Sequence, residues 1–294
     1  MRDGDIAALL CRHAGEKAAL SSAHALGGGC IHRAQRIEAS DGRVWFLKTN
    51  RPSELPSFEA EAEALRELAK AGAIRVPAPL AAGEHAGEAY LILEYIEFGG
   101  RGNAALMGTQ LAALHRTTAE RFGWHRDNFI GSTPQENAWS ADWIAFFRTR
   151  RLEPMLQRLA EAGHRFRRAD ALLERLESFF EGYEPAASLL HGDLWGGNAG
   201  YDTGGQPVIF DPATYYGDRE ADLAMTELFG GFGRDFYAAY DEAWPLDPGY
   251  ARRKTLYNLY HILNHVFIFG RSYAGQAENM LAALLTSGPP PRRA

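Results

Sequence analysis

Apolar positions recur at helical spacing near the start of the chain, where Ile6, Leu9 and Leu10 predict a short helix over 5–11. Residues 17–26 read as extended and run into Gly27-Gly28-Gly29, and Cys30 to Ala39 read as the returning strand. Ser40-Asp41-Gly42 predicts a hairpin turn, because Asp-Gly supplies positive φ at little cost. Val44 to Lys48 is the next strand. Over 57–70, Phe58, Ala62, Leu65, Leu68 and Ala69 share one helical face, with Glu61 inside that arc. Val76-Pro77-Ala78-Pro79 is an extended connector, Ala89 to Glu94 a buried strand, and Tyr95 to Gly102 a glycine-rich link. From residue 104 the pattern turns helical, with helices expected over 104–118, 140–162, 166–182, 234–242 and 249–272. The stretch 122–139 reads as a loop, Tyr215 to Leu223 as the opening of a further helix, and the proline-rich tail as frayed. The expected fold class is α+β in two lobes: an antiparallel-sheet N-lobe over 1–98 and a mainly helical C-lobe over 99–294.

The most informative stretch is Leu189-Leu-His-Gly-Asp-Leu-Trp-Gly-Gly-Asn198. Two apolar residues end a strand, His191-Gly192-Asp193 form a tight loop, and Asn198 follows five residues after Asp193. That is the spacing H-x-D-x-x-x-x-N of a kinase catalytic loop. A carboxylate there accepts the proton of an attacking hydroxyl, and the Asn amide oxygen can reach a phosphate-bound metal. A second short strand, Pro207 to Phe210, ends in Asp211, whose carboxylate can hold Mg²⁺. Lys48, at the end of an apolar strand after a glycine-rich hairpin, can place an ammonium on nucleotide phosphates. Glu61 on the apolar face of its helix either pairs with Lys48 or snorkels to water. Backbone groups around Glu94, Tyr95 and Ile96 would read an adenine edge.

Other residues leave two readings open. Trp195 is either a platform for a sugar ring or a core side chain under the catalytic loop. Asp218 and Glu220 either meet a substrate amine or favour a helix N-terminus through its dipole. Tyr215 and Tyr216, with the 122–139 loop, could wall a substrate pocket. His261 and His265 read as structural histidines.

At 294 residues and 46% hydrophobic the chain can bury a sizeable core. Its net charge of −6 argues against a nucleic-acid partner. Two cysteines, Cys11 and Cys30, are too few for a secreted disulfide framework. No signal peptide or membrane-spanning run stands out, so a cytoplasmic protein with no membrane partner is expected.

The chain resembles the fructosamine kinase (ketosamine 3-kinase) family, a branch of the protein-kinase-like aminoglycoside and choline phosphotransferases. Leu190 to Asn198, with Asp193-Leu194-Trp195 inside it, and Phe210 to Ala224 carry the likeness, as do Gly27 to Ile31, Phe58 to Glu61 and Gly123 to Trp143. The likeness implies ATP-dependent phosphorylation of the 3-hydroxyl of a glycated amine, after which the sugar phosphate breaks down and frees the amine. It implies ATP and Mg²⁺, with Asp193 as base, Asn198 and Asp211 on the metal, and Lys48 fixed by Glu61 on the phosphates. Gly27, Gly28, Gly29 and Cys30 would cover those phosphates. His191 and Asp222 would support the catalytic loop. Trp195, Tyr215, Asp218 and Glu220 are the substrate-side candidates, and Cys30 a redox candidate that could link a homodimer. The alternative is another small-molecule kinase, acting on an aminoglycoside or choline.

Overall fold

The structure, a computed structural model, describes residues 1–15, 17–27 and 32–286. It divides into two compact units, Met1–Asn103 with Ala199–Pro212, and Ala104–Asn198 with the chain from Ala213 onward.

In the first unit, helix α1 (Asp3–Ala14) precedes strands β1 (Leu20–Leu26), β2 (Arg33–Ala39) and β3 (Val44–Asn50). Helix α2 (Leu55–Ala71) and strands β4 (Pro79–His85) and β5 (Glu88–Glu94) follow. The strands form an antiparallel sheet in the order β1-β2-β3-β5-β4. The β2–β3 turn contains Gly42 at φ +84°, as the Asp-Gly pair predicts. Ile6, Leu9 and Leu10 of α1 pack with Ile37, Trp45, Leu47, Tyr90 and Ile92 of the sheet. Side chains alternate along a strand, so Lys48 points away from the face carrying Trp45 and Leu47. Helix α2 has Pro56 in its first turn and stops at Gly72, whose left-handed φ of +62° closes the end on Ala69 O. Strand β4 follows directly on the extended connector, and Pro77 and Pro79 hide its start in the sequence.

The hairpin Ala199–Tyr201 with Pro207–Ile209 belongs to this first unit, not to a lobe running unbroken from residue 99. Arg75 fastens it. Its carbonyl accepts from Ile209 N–H at 3.0 Å, and its guanidinium binds both the Asp202 carboxylate and Glu94, the latter at 2.7 Å. Phe98 packs on Phe210, and Gly99 N–H donates to Tyr201 O at 2.8 Å. These contacts keep residues 99–103 with the sheet as well.

The second unit is mainly helical: α3 (Ala104–His115), α4 (Trp143–Phe147), α5 (Glu153–Glu161), α6 (Ala169–Glu174), α7 (Glu220–Leu228), α8 (Arg234–Ala243), α9 (Tyr250–Phe269) and α10 (Ala274–Thr286). Helices α3 and α8 pack so closely at Gly108 that a Cβ there would meet Phe236 O at 2.2 Å. The single helix expected over 140–162 is interrupted by a π turn at Arg148–Leu152. Asp142 starts it by accepting from Ala145 N–H at 2.6 Å. A small sheet joins Tyr215–Gly217, Ala187–Leu190 and Thr118–Ala119, so Tyr215 to Gly217 form a strand before α7 and not part of the helix. The 122–139 loop contains a hairpin, Asn128–Ile130 with Thr133–Gln135. Its amides are buried: Asn128 donates to Thr214 O at 2.7 Å, and Gln135 and Asn137 both donate to Asn128 Oδ1 at 2.9 Å. They brace the segment after Asp211 through Thr214 O and Ala213 O. Glycine 270 ends α9 early, and α10 turns back onto it.

Candidate active site

In the first unit, period-two alternation on β3 and the helical phase of α2 bring two charged residues together. Lys48 Nζ donates to both Glu61 oxygens, at 2.8 and 3.0 Å, and also to the Asp211 carboxylate. The ammonium is thus enclosed by two carboxylates. Burial pushes the Lys48 ammonium toward neutrality, but Asp211 and Glu61 together outweigh it and its pKa is raised. Burial, with Asp211 nearby, pushes the Glu61 carboxyl up to about 7 although Lys48 pulls the other way. One cation facing two acids leaves net negative charge at the more exposed acid, Asp211, whose side chain is 47% exposed. Asp211 has φ +57°, a left-handed conformation that costs a non-glycine residue energy and that aspartate tolerates better than most.

The catalytic-loop candidate lies in the second unit and is held by its backbone. His191 and Gly192 N–H donate to the two Asp222 oxygens at 2.7 and 2.8 Å. His115 Nε2 donates to the same carboxylate at 3.2 Å, and its Nδ1 meets the Tyr240 hydroxyl at 2.8 Å. Gly192 is required twice over: its φ is +84°, and a Cβ would lie 2.1 Å from Ala213 O. Leu190 and Leu194 are fully buried on either side, while Asp193 between them is only half-buried. Asn198 Nδ2 donates to the Asp193 backbone carbonyl at 2.9 Å, which turns its amide oxygen to the other side. Sequence reasoning named Asp222 and missed its partner His115, a lone histidine at a helix end with no motif around it.

Burial raises the Asp222 carboxyl, but the His115 bond, the charges of His115 and His191 and the Gly192 N–H outweigh it, and the net pKa is lowered. A depressed carboxyl contributes stability above its ordinary range that is lost as pH falls through its folded value, here below about pH 4. Asp222→Ala leaves three buried donors without an acceptor and is expected to cost about 3–5 kcal/mol at pH 7. In urea unfolding, the gap between wild type and Asp222→Asn should narrow at pH 3. An equal gap at both pH values would contradict the assignment.

Three substrate-side expectations are corrected by burial. Asp218 is 0% exposed and accepts from Tyr257 and Tyr183 hydroxyls at 2.5 and 2.9 Å. Glu220 is also 0% exposed and binds Arg253 through both oxygens, at 2.7 and 2.9 Å. Neither can meet a substrate ammonium. Tyr215 is a core residue, stacked on Phe146 with the Arg151 guanidinium 4.1 Å from its ring centre. Trp195, by contrast, is 40% exposed and not a core side chain. Its ring lies over Gly197, where a Cβ would come within 2.2 Å of it. Glu94 N–H donates to Ala78 O, Glu94 carboxylate takes the Ala78 N–H and Arg75, and Ile96 is buried. Gly27 lies at the end of β1, while Gly28, Gly29 and Cys30, with the redox expectation for Cys30, fall outside the described residues. His261 is buried, and its carbonyl accepts from Nδ1 of the half-buried His265.

The fold is that of the protein-kinase-like phosphotransferases. The family model described as fructosamine kinase matches residues 3–287. This chain belongs to the fructosamine kinase family. It is 43% identical over 284 residues to a probable ketoamine kinase of Synechocystis sp. (strain ATCC 27184 / PCC 6803 / Kazusa), covering 95% of this chain and 96% of that one. It is 42% identical over 275 residues to the chloroplastic protein-ribulosamine 3-kinase of Arabidopsis thaliana, covering 91% of this chain and 83% of the relative. A crystal structure of a candidate fructosamine-3-kinase from Haemophilus somnus 129PT matches with TM-score 0.89 and 29% identity, over 96% of this chain and 97% of that chain.

Proposed function

We propose that this chain transfers the γ-phosphoryl group of ATP to the 3-hydroxyl of ketosamines, sugars joined to an amine by glycation, and so starts the release of that amine. The names of the Synechocystis and Arabidopsis relatives support the activity, and their similarity runs along nearly the whole chain. The observation that carries the reading is the half-buried Asp193 carboxylate on a loop whose backbone is held by Asp222. Asp193 orients the sugar hydroxyl and takes its proton as the oxygen bonds to phosphorus and the bond to the leaving ADP breaks. Lys48, positioned by Glu61, neutralises phosphate charge. Backbone around Glu94 to Ile96 reads the adenine.

Asp211 and Asn198 each offer oxygen, the donor that a hard dication takes, and the net negative charge around Lys48 suits one. Mg²⁺, for which Asp211 and Asn198 are each a candidate ligand, would shield the charge on the transferring phosphates. No helix among the described residues is long and apolar enough to cross a membrane. A cytoplasmic setting, where ATP is available, and a small or protein-bound glycated amine complete the reading, with no nucleic-acid partner.

ATP consumption with ribulosyl-lysine, fructosyl-lysine, kanamycin and choline tests it. Turnover of the ketosamines alone is expected, and turnover of kanamycin or choline alone would overturn it. Trp195 offers its ring face to the sugar, so Trp195→Ala is expected to raise KM for the ketosamine about tenfold and spare KM for ATP. A change confined to the ATP constant would contradict that role.

A further inference from the structure

An unbroken run of aromatic rings leaves the catalytic loop from Trp195, and its further members have no part in the chemistry above. Trp195 meets Phe229, just past α7, edge to face with centres 6.2 Å apart. The turn carrying Phe229 is pressed on the loop, since a Cβ on Gly196 would stand 3.0 Å from Gly230 O. Phe229 lies 4.9 Å from His265 on α9, and His265 lies 5.4 Å from Phe269 and 5.0 Å from Tyr273. Trp195, Phe229 and Phe269 are 40, 41 and 53% exposed. Scattered exposed rings need no explanation, but a contiguous exposed apolar strip marks an interaction site.

His265 adds a directed polar group. Its Nδ1 is 2.8 Å from His261 O, and a carbonyl only accepts, so Nδ1 carries the hydrogen. Burial lowers its pKa and keeps the ring neutral, which leaves Nε2 as an acceptor.

We infer that this strip is the subsite for the amine substituent of the ketosamine, with an alkyl chain such as that of lysine lying along Phe229 and Phe269. The inference rests on the proposed function and extends it to the part of the substrate that is not phosphorylated. If the 3-hydroxyl is at Asp193 and the sugar face on Trp195, the nitrogen, two carbons from the reacting carbon, leaves the loop at its exposed edge. The rings continue from Trp195 at that edge. Ring faces attract an ammonium and its adjoining methylenes together, and neutral His265 can accept an N–H from it. Asp218 and Glu220, the acids the sequence offers for the amine, are engaged in the buried Arg253 and tyrosine contacts, and Glu227, beside Phe229, is paired with Lys254 and Tyr250.

The test compares kcat/KM for Nε-ribulosyl-lysine with that for 1-amino-1-deoxyribulose, whose amine bears no substituent. The ratio of the two is expected to fall about tenfold in Phe269→Ala and in Phe229→Ala, and to recover in large part in Phe269→Leu. An equal loss on both substrates would make the rings merely structural, and no loss on either would also overturn the inference. Size-exclusion chromatography of the same variants covers the remaining occupant. Conversion of a dimer to a monomer with an unchanged ratio would assign the strip to a second copy of the chain and refute the subsite. Failure of wild type to phosphorylate either ketosamine would overturn the proposed function itself, and this inference with it.

Discussion

Asp193→Asn is expected to lose about 10²–10⁴-fold in kcat, with KM for ATP and thermal stability near wild type. The loop holding residue 193 is fixed by bonds that the substitution leaves alone. Asp222 accepts from His191 and Gly192 N–H, and Asn198 donates to the residue 193 carbonyl. Asparagine keeps the shape of the side chain and removes its charge and with it the capacity to take a proton, while its amide oxygen can still accept the 3.3 Å contact from Asn198 Nδ2. Single-turnover rates with a ketosamine, alongside calorimetry, give both readouts. Turnover near wild type at matched stability would refute Asp193 as the base.

Lys48→Met is expected to lower kcat about 10²–10³-fold, because a charge that stabilises the transferring phosphates is removed. It has a second consequence that a purely catalytic residue would not show. Glu61 is nearly buried, and the ammonium is the group that favours its charged form. Without Lys48 its pKa rises further above the ordinary glutamate value. A raised carboxyl contributes stability that is present below its unfolded pKa and lost as pH rises through its folded one. The Lys48→Met protein should therefore lose more stability than wild type between pH 6 and pH 8. Adding Glu61→Leu should remove that extra slope by taking away the unpaired acid. A Lys48→Met slope equal to that of wild type would show that Glu61 does not depend on Lys48.

What the sequence made legible was chemistry tied to local pattern. The Lys48–Glu61 pair followed from strand alternation meeting helical phase, and both rules act over a few residues. The H-x-D-x-x-x-x-N spacing located Asp193 and Asn198 because a tight loop after a strand fixes where side chains go. Less legible were roles set by distant partners. Asp218 and Glu220 read equally well as ligands or as helix-start residues, and only Tyr183, Tyr257 and Arg253, distant in sequence, decide their role. Arg75 carries no motif, yet it binds Asp202 and Glu94, far apart in sequence, and keeps the Asp211 hairpin with the N-terminal sheet. The same holds for His115, which matters only because Asp222 is beside it. Element boundaries failed where proline hid β4, where a π turn split a helix, and where Gly270 ended α9.

The central claim is that the phosphoryl group goes to one particular hydroxyl of a glycated amine. The most direct measurement is two-dimensional phosphorus–proton NMR of the product formed from ATP and ribulosyl-lysine. The account predicts phosphorus coupled to the proton on the third carbon of the sugar, followed by loss of that signal as free lysine appears. Phosphorus on any other carbon, or a stable phosphorylated product that releases no amine, would contradict it.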